Sequence, residues 1–106
     1  MREANKLYAY MWEYTVKTEY KMTFEEFYSP GGRWTELFKK ANGFIRTELF
    51  HDELDSVKYI TIDYWQSKSH QNDFILAYSN DYKKLDTECA AFAAKERYIG
   101  EFEVTC

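Results

Sequence analysis

"VKYITIDYW", residues 57–65, decides the fold. Tyr59, Thr61, Asp63 and Trp65 alternate in it with Ile60, Ile62 and Tyr64. Period-two spacing of aromatic and β-branched residues marks a strand. Both faces of this strand are largely apolar or aromatic, whereas a sheet with one solvated face alternates apolar and polar residues. The strand is therefore expected to lie in a sheet that is covered on both sides.

Upstream, the polar stretch Glu53-Leu54-Asp55-Ser56 separates it from a second β-like run over residues 44–52, so the two read as a hairpin. Residues 7–17 carry the same alternation. Tyr8, Tyr10, Trp12, Tyr14 and Val16 share one face; Ala9, Met11, Glu13 and Thr15 share the other. Residues 1–6 read as a flexible tail, and residues 7–106 as a single domain. Between the first strand and the hairpin, Thr23 and Glu26 have capping-box spacing, which predicts a helix opening at Phe24. The chain's one proline, Pro30, should break that helix because it lacks an N–H donor and crowds the preceding turn. Trp34, Leu37, Phe38 and Ala41 then form a helical stripe, stopped by Asn42-Gly43.

Downstream, Ser67 is placed to cap a helix running through Phe74 to Tyr78. Ser79-Asn80-Asp81 interrupts it, with Ser79 able to cap a second piece carrying Tyr82, Leu85, Cys89 and Phe92. A closing strand spans residues 97–105. There Tyr98, Gly100, Phe102 and Val104 alternate with Ile99, Glu101, Glu103 and Thr105, and Gly100 suggests a bulge. The order is β-α-β-β-α-β with both helices broken. That is an α+β, ferredoxin-like split βαβ repeat, its helices on one face of a four-stranded antiparallel sheet. The uncovered apolar face predicts a homodimer formed through the helix-free side of the sheet, as in a dimeric α+β barrel.

Composition removes several functional classes. The 106 residues carry a net charge of -4 and no basic stripe, so no nucleic-acid partner is expected. No apolar run approaches the ~18 residues of a membrane span, and a signal-peptide core is missing, so a cytoplasmic protein is expected. Cys89 and Cys106 lack metal-ligand spacing and read as reduced thiols, although a bridge between molecules through Cys106 is open. No phosphate loop, dinucleotide fingerprint or zinc-protease motif occurs. Pro30-Gly31-Gly32-Arg33 follows a helix and lacks the lysine of a phosphate loop; it reads as a break between two helices. Neither a metal nor another cofactor is expected.

Aromatic residues make up 20% of the chain, more than a small core needs, and suit an aromatic-lined pocket. Trp12, Tyr14, Trp34, Tyr59 and Trp65 each read as a stacking wall for a planar ligand or as a core ring. Asp63 is mid-strand among aromatics, where a carboxylate is costly unless paired. Arg46 on the neighbouring strand is its expected partner if the two share a face. The pair reads either as a structural contact that holds register or as a base with an anion-stabilising cation. His70 is a candidate acid, base or ligand contact, or a solvated helix residue, and His51 could serve similarly.

The spacing of Phe27-Tyr28, Pro30, Gly32, Trp34 and Leu37-Phe38, then Gly43-Phe44 and Thr47-Glu48-Leu49, resembles the antibiotic biosynthesis monooxygenase domain. So do residues 59–67, and Glu96, Ile99 and Gly100-Glu101-Phe102 in the closing strand. The resemblance covers residues 8–104. It implies a dimeric α+β barrel and, as in characterised members, oxidation of phenols by O2 without metal or flavin. Other members degrade haem or isomerise small molecules. The tryptophan matching Trp65 borders the pocket in oxygenase and haem-degrading relatives. The haem degraders use a first-strand asparagine and a histidine on the helix after the tryptophan. Here the first strand has no asparagine, and His70 lies early in its helix. The expected function is cofactor-independent monooxygenation of a small phenol or quinol. The alternatives are a non-catalytic module binding a planar metabolite or haem, and an interaction protein whose rings serve only core and dimer.

Overall fold

The computed structural model describes residues 6–105. Its elements follow as β1 (Leu7–Val16), a 3-10 turn (Thr18–Tyr20), α1 (Lys21–Tyr28), α2 (Arg33–Phe38), β2 (Phe44–His51), β3 (Lys58–Trp65), α3 (Lys68–Ala77), α4 (Ser79–Cys89) and β4 (Ala93–Val104). The strands form one antiparallel sheet in the order β2-β3-β1-β4. This is the α+β, ferredoxin-like arrangement expected from the sequence. Apart from Lys6, the expected tail lies outside the described residues, as does Cys106 with its suggested bridge.

The alternation in β3 sorts its side chains as predicted. Tyr59, Thr61, Asp63 and Trp65 are buried; Ile60, Ile62 and Tyr64 on the other face are half-buried. The buried side joins Tyr10, Tyr14 and Val16 of β1 with Phe24, Trp34, Phe38, Phe74 and Leu85 from all four helices in one aromatic-rich core. On the opposite face, Met11 pairs with Ile62 and Ile60 with Phe50. Among the described residues no helix covers that face, and Phe50 remains 50% exposed.

The breaks in the helices set how this core is filled. α1 stops at Tyr28, where the Ser29 N–H closes its last turn on the Glu25 carbonyl. The chain then turns through Pro30 so that the Gly32 N–H donates to the Ser29 carbonyl. A Cβ on Gly32 would collide with the carbonyl oxygens of Glu26 and Phe27, so only glycine permits this close return. The turn starts α2 at an angle that buries Trp34, Leu37 and Phe38. Gly43, at φ 94°, ends the segment in the left-handed region, as its position after Asn42 predicts.

Two predicted caps differ. α1 begins at Lys21, because the 3-10 turn carries the chain from β1 directly into it and Thr23 is already helical. Ser79 lies in the first turn of α4 and caps nothing, since α3 and α4 meet at Tyr78 alone. The Tyr78 N–H closes α3 on Phe74, and its carbonyl accepts from Tyr82 to open α4. Ser67 does cap α3, its hydroxyl accepting from the His70 N–H at 3.2 Å.

The sheet has three register shifts, one of them between Thr15 and Val16; the other two change which side chains share a face with the predicted site residues. In β4 the register shifts so that Gly100 faces Met11 while Tyr98 faces Trp12, leaving Ile99 as the extra residue. Tyr98 is thereby separated from Gly100, Phe102 and Val104, with which simple alternation groups it. In β2, Phe44 pairs with Trp65 but Arg46 pairs with Tyr64, so Ile45 is extra. One inserted residue moves every side chain on one side of it to the other face. Among the described residues, no helix is long and apolar enough to cross a membrane.

Candidate functional site

A cavity of about 210 Å³ lies between the sheet and the helices. Its sheet side consists of Tyr10, Trp12 and Tyr14 from β1, Thr47 from β2, and Thr61 and Asp63 from β3. Tyr28, Trp34, Phe38 and Tyr82 close it from the helices. Asp86 of α4 and Glu96 of β4 are exposed lining residues and form its mouth.

Asp63 is the chemically distinct group. It is 7% exposed and pairs across the sheet with Tyr10 on one side and Thr47 on the other. The Thr47 hydroxyl donates to Oδ1 at 2.6 Å. Burial pushes the carboxyl up to about 7, a rise that the hydrogen bonds from Thr47 and Tyr10 only partly oppose. An acid with that value exists in both protonation states near neutral pH, which is what proton transfer to or from a ligand requires. Behind Tyr10, the Trp65 indole N–H donates to the Tyr10 hydroxyl at 3.4 Å.

The cavity's phenols cannot serve as bases. Burial pushes Tyr10 and Tyr14 well above the ordinary tyrosine value, with the nearby Asp63 charge adding to the effect. Tyr28 and Tyr82 are raised as well, chiefly by burial. All four remain neutral hydroxyls at neutral pH. The Glu96 carboxyl is raised by burial and by the charge of Asp86. Among the described residues, no acceptor meets the buried Trp34 indole N–H at full hydrogen-bond geometry, although Tyr28 and Cys89 lie beside it. Near it, burial pushes the Cys89 thiol up, so it is not an activated nucleophile.

Of the residues singled out in the sequence, Trp12, Tyr14, Trp34 and Asp63 come together in this cavity. The other five lie outside its lining. Arg46 is displaced by the Ile45 bulge: it is exposed, stacks over the Tyr64 ring at 3.9 Å, and leaves Thr47 beside Asp63. Without that bulge, Arg46 would face Asp63. Trp65 is fully buried against Phe38, Phe44 and Phe74, with ring centroids 5.3–5.7 Å away. Tyr59 packs on Phe24 and donates its hydroxyl hydrogen bond to Glu25. His70 sits over Gly43, with its Nδ1 2.7 Å from the Ser67 hydroxyl. His51 stacks on Tyr59 and its Nε2 contacts the Ser56 carbonyl.

The sequence reading passed over Thr47, Tyr10, Tyr28, Tyr82, Asp86 and Glu96 as site residues. Tyr10 was legible as a neighbour of Trp12 and Tyr14 on the same strand face. Asp86, four residues after Tyr82 on one helix face, carried the other signal. Among the described residues, no group of three or more His, Cys, Asp or Glu is arranged to hold a metal ion.

No family model and no curated protein matches the sequence. Solved structures do match in three dimensions. SnoaB from Streptomyces nogalater, a cofactor-independent oxygenase, superposes with a TM-score of 0.72 at 16% identity over 95% of each chain. A protein from Bordetella bronchiseptica, provisionally named an antibiotic biosynthesis monooxygenase, gives 0.68 at 18% identity over 96% of this chain and 100% of its own. A counterpart from Nitrosomonas europaea, named in the same provisional way, gives 0.66 at 15% identity over 92% of this chain and 86% of its own. With the sheet order and broken helices above, these likenesses give the chain the fold of the antibiotic biosynthesis monooxygenase-like proteins.

Proposed function

We propose that the chain is a cofactor-independent monooxygenase that uses O2 on a small phenol or quinol held in this cavity. The reading is carried by Asp63, a carboxyl at about 7 on an aromatic-lined floor, in a fold that SnoaB uses for oxygenation. Trp12, Tyr14 and Trp34 supply the stacking walls. Thr47 and Tyr10 hold the Asp63 carboxylate in place, and Trp65 orients Tyr10 from behind.

In this reading Asp63 takes the phenolic proton. The phenolate passes one electron to O2, the resulting radical pair joins at a ring carbon, and the peroxide anion takes the proton back from Asp63 to give a hydroperoxide. Loss of water leaves a quinone, so phenol and O2 become quinone and H2O with atoms and electrons balanced. The protein supplies the base, a fixed ring orientation and a partly dry site, in which electrostatic interactions are strengthened.

A second reading, non-catalytic binding of a planar metabolite, is favoured by the Thr47 bond, which also explains Asp63 as a pin for strand register. Haem fits that reading poorly because His70 is engaged by Ser67 outside the cavity. Oxygen uptake by metal-stripped, flavin-free protein across a panel of naphthols and hydroquinones separates the two. Turnover supports the oxygenase; binding without uptake supports the module.

The proposed working form is a cytoplasmic homodimer joined through the helix-free sheet face. Met11, Ile60, Ile62 and Phe50 give that face its apolar centre. Two pairs of opposite charges on that face, Glu13–Arg97 and Arg46–Glu48, are closed within the chain. Cys89, a free buried thiol, suits a reducing compartment.

A further inference from the structure

We propose that the cavity selects aromatic amines: ligands of one or two rings that carry a protonated amino group directed at the mouth. The inference rests on the reading of this cavity as a substrate site and concerns the charge of what enters it. Among the described residues twelve line the cavity; three are carboxylates, Asp63, Asp86 and Glu96, and none is a lysine or arginine. The one arginine that could have balanced Asp63 is turned to the other face by the Ile45 bulge. Among the described residues, the ion pairs formed by Lys and Arg leave Asp63, Asp86 and Glu96 unused.

A phenolate formed here meets no fixed cation among the described lining residues. Like charges close together in a partly dry site repel strongly, so an anionic ligand would be excluded and a bare phenolate poorly stabilised. A ligand that brings its own ammonium supplies the missing counter-charge. The aromatic walls help, because the faces of Trp and Tyr rings attract cations. Asp86 comes from α4 and Glu96 from β4 beside Tyr14, near enough for the Asp86 charge to act on the Glu96 carboxyl. An ammonium entering between them would be held while the ring reaches Trp12 and Trp34.

Three phenols that share a ring and differ in charge test this: tyramine (cation), p-cresol (neutral) and para-hydroxyphenylacetate (anion). Affinities are read by tryptophan fluorescence and calorimetry on the full chain, alongside the double variant Glu96→Gln, Asp86→Asn. The expected order is tyramine, then cresol, then the anion, with roughly tenfold between the extremes at low salt. In the double variant the ratio of tyramine affinity to cresol affinity should fall to about one. Both substitutions are at exposed positions, and cresol binding reports that the cavity is intact. Equal or tighter binding of the anion overturns the inference, as does an undiminished tyramine preference in the double variant. Retained order without oxygen uptake refutes only the oxygenase reading. No binding by any of the three refutes both.

Discussion

Replacing Asp63 by asparagine preserves the side chain's shape and removes its charge. The Thr47 hydroxyl can still donate to the retained Oδ1, so the strand contact survives. What changes is the cost of a buried anion. A carboxyl raised from 3.8 to about 7 carries roughly 4 kcal/mol of penalty on its charged form. The native state keeps its proton through the window from about 4 to about 7, where the unfolded chain has already lost its own. Wild-type stability therefore falls as pH rises through that window, and the penalty is complete above it. Asp63→Asn should be more stable than wild type at pH ~8, by up to about 4 kcal/mol, and nearly equal to it at pH ~4. Urea unfolding followed by tryptophan fluorescence across that range measures the gap directly. A gap that does not change with pH, or a variant less stable at the alkaline end, would refute the reasoning.

Three further outcomes follow from the same geometry. Thr47→Val removes the one short donor to Asp63, so the carboxyl should rise further and stability at neutral pH should drop by about 1–3 kcal/mol; proton titration by NMR and urea unfolding check the two effects. Arg46→Ala should leave phenol affinity within about twofold of wild type because the guanidinium lies over Tyr64 on the far face, whereas Trp34→Ala should weaken it by tenfold or more; fluorescence titration reads both. Ile62→Glu, placed in the middle of the open sheet face, should convert a dimer to a monomer in sedimentation, while a wild-type chain already monomeric at low micromolar concentration contradicts the proposed dimer.

The architecture was legible because β1 and β3 alternate without interruption, and because Pro30 and Gly43 punctuate the helices at positions where backbone chemistry leaves little choice. A period of two does not by itself reveal a bulge; in β4 Gly100 marked one beside the extra Ile99. In β2 no glycine marks the extra Ile45, which hid the exchange of Arg46 for Thr47 beside Asp63. The division between cavity ring and core ring was equally hidden. Tyr59 and Trp65 share a strand face with Asp63, yet Phe24 closes over one and Phe38, Phe44 and Phe74 over the other. That closure depends on distant segments meeting. Likewise, helical spacing placed Tyr82 toward the sheet without saying whether it meets a ring or a space.

The central claim is that Asp63 acts as the base for a phenol that reacts with O2. The pH dependence of oxygen consumption, compared between wild type and Asp63→Asn with metal-stripped protein and a hydroquinone that both bind equally, tests it most directly. The wild-type rate should rise with an inflection near 7 and fall by about a hundredfold or more in the variant. A variant that consumes oxygen at the wild-type rate with the same inflection would contradict it.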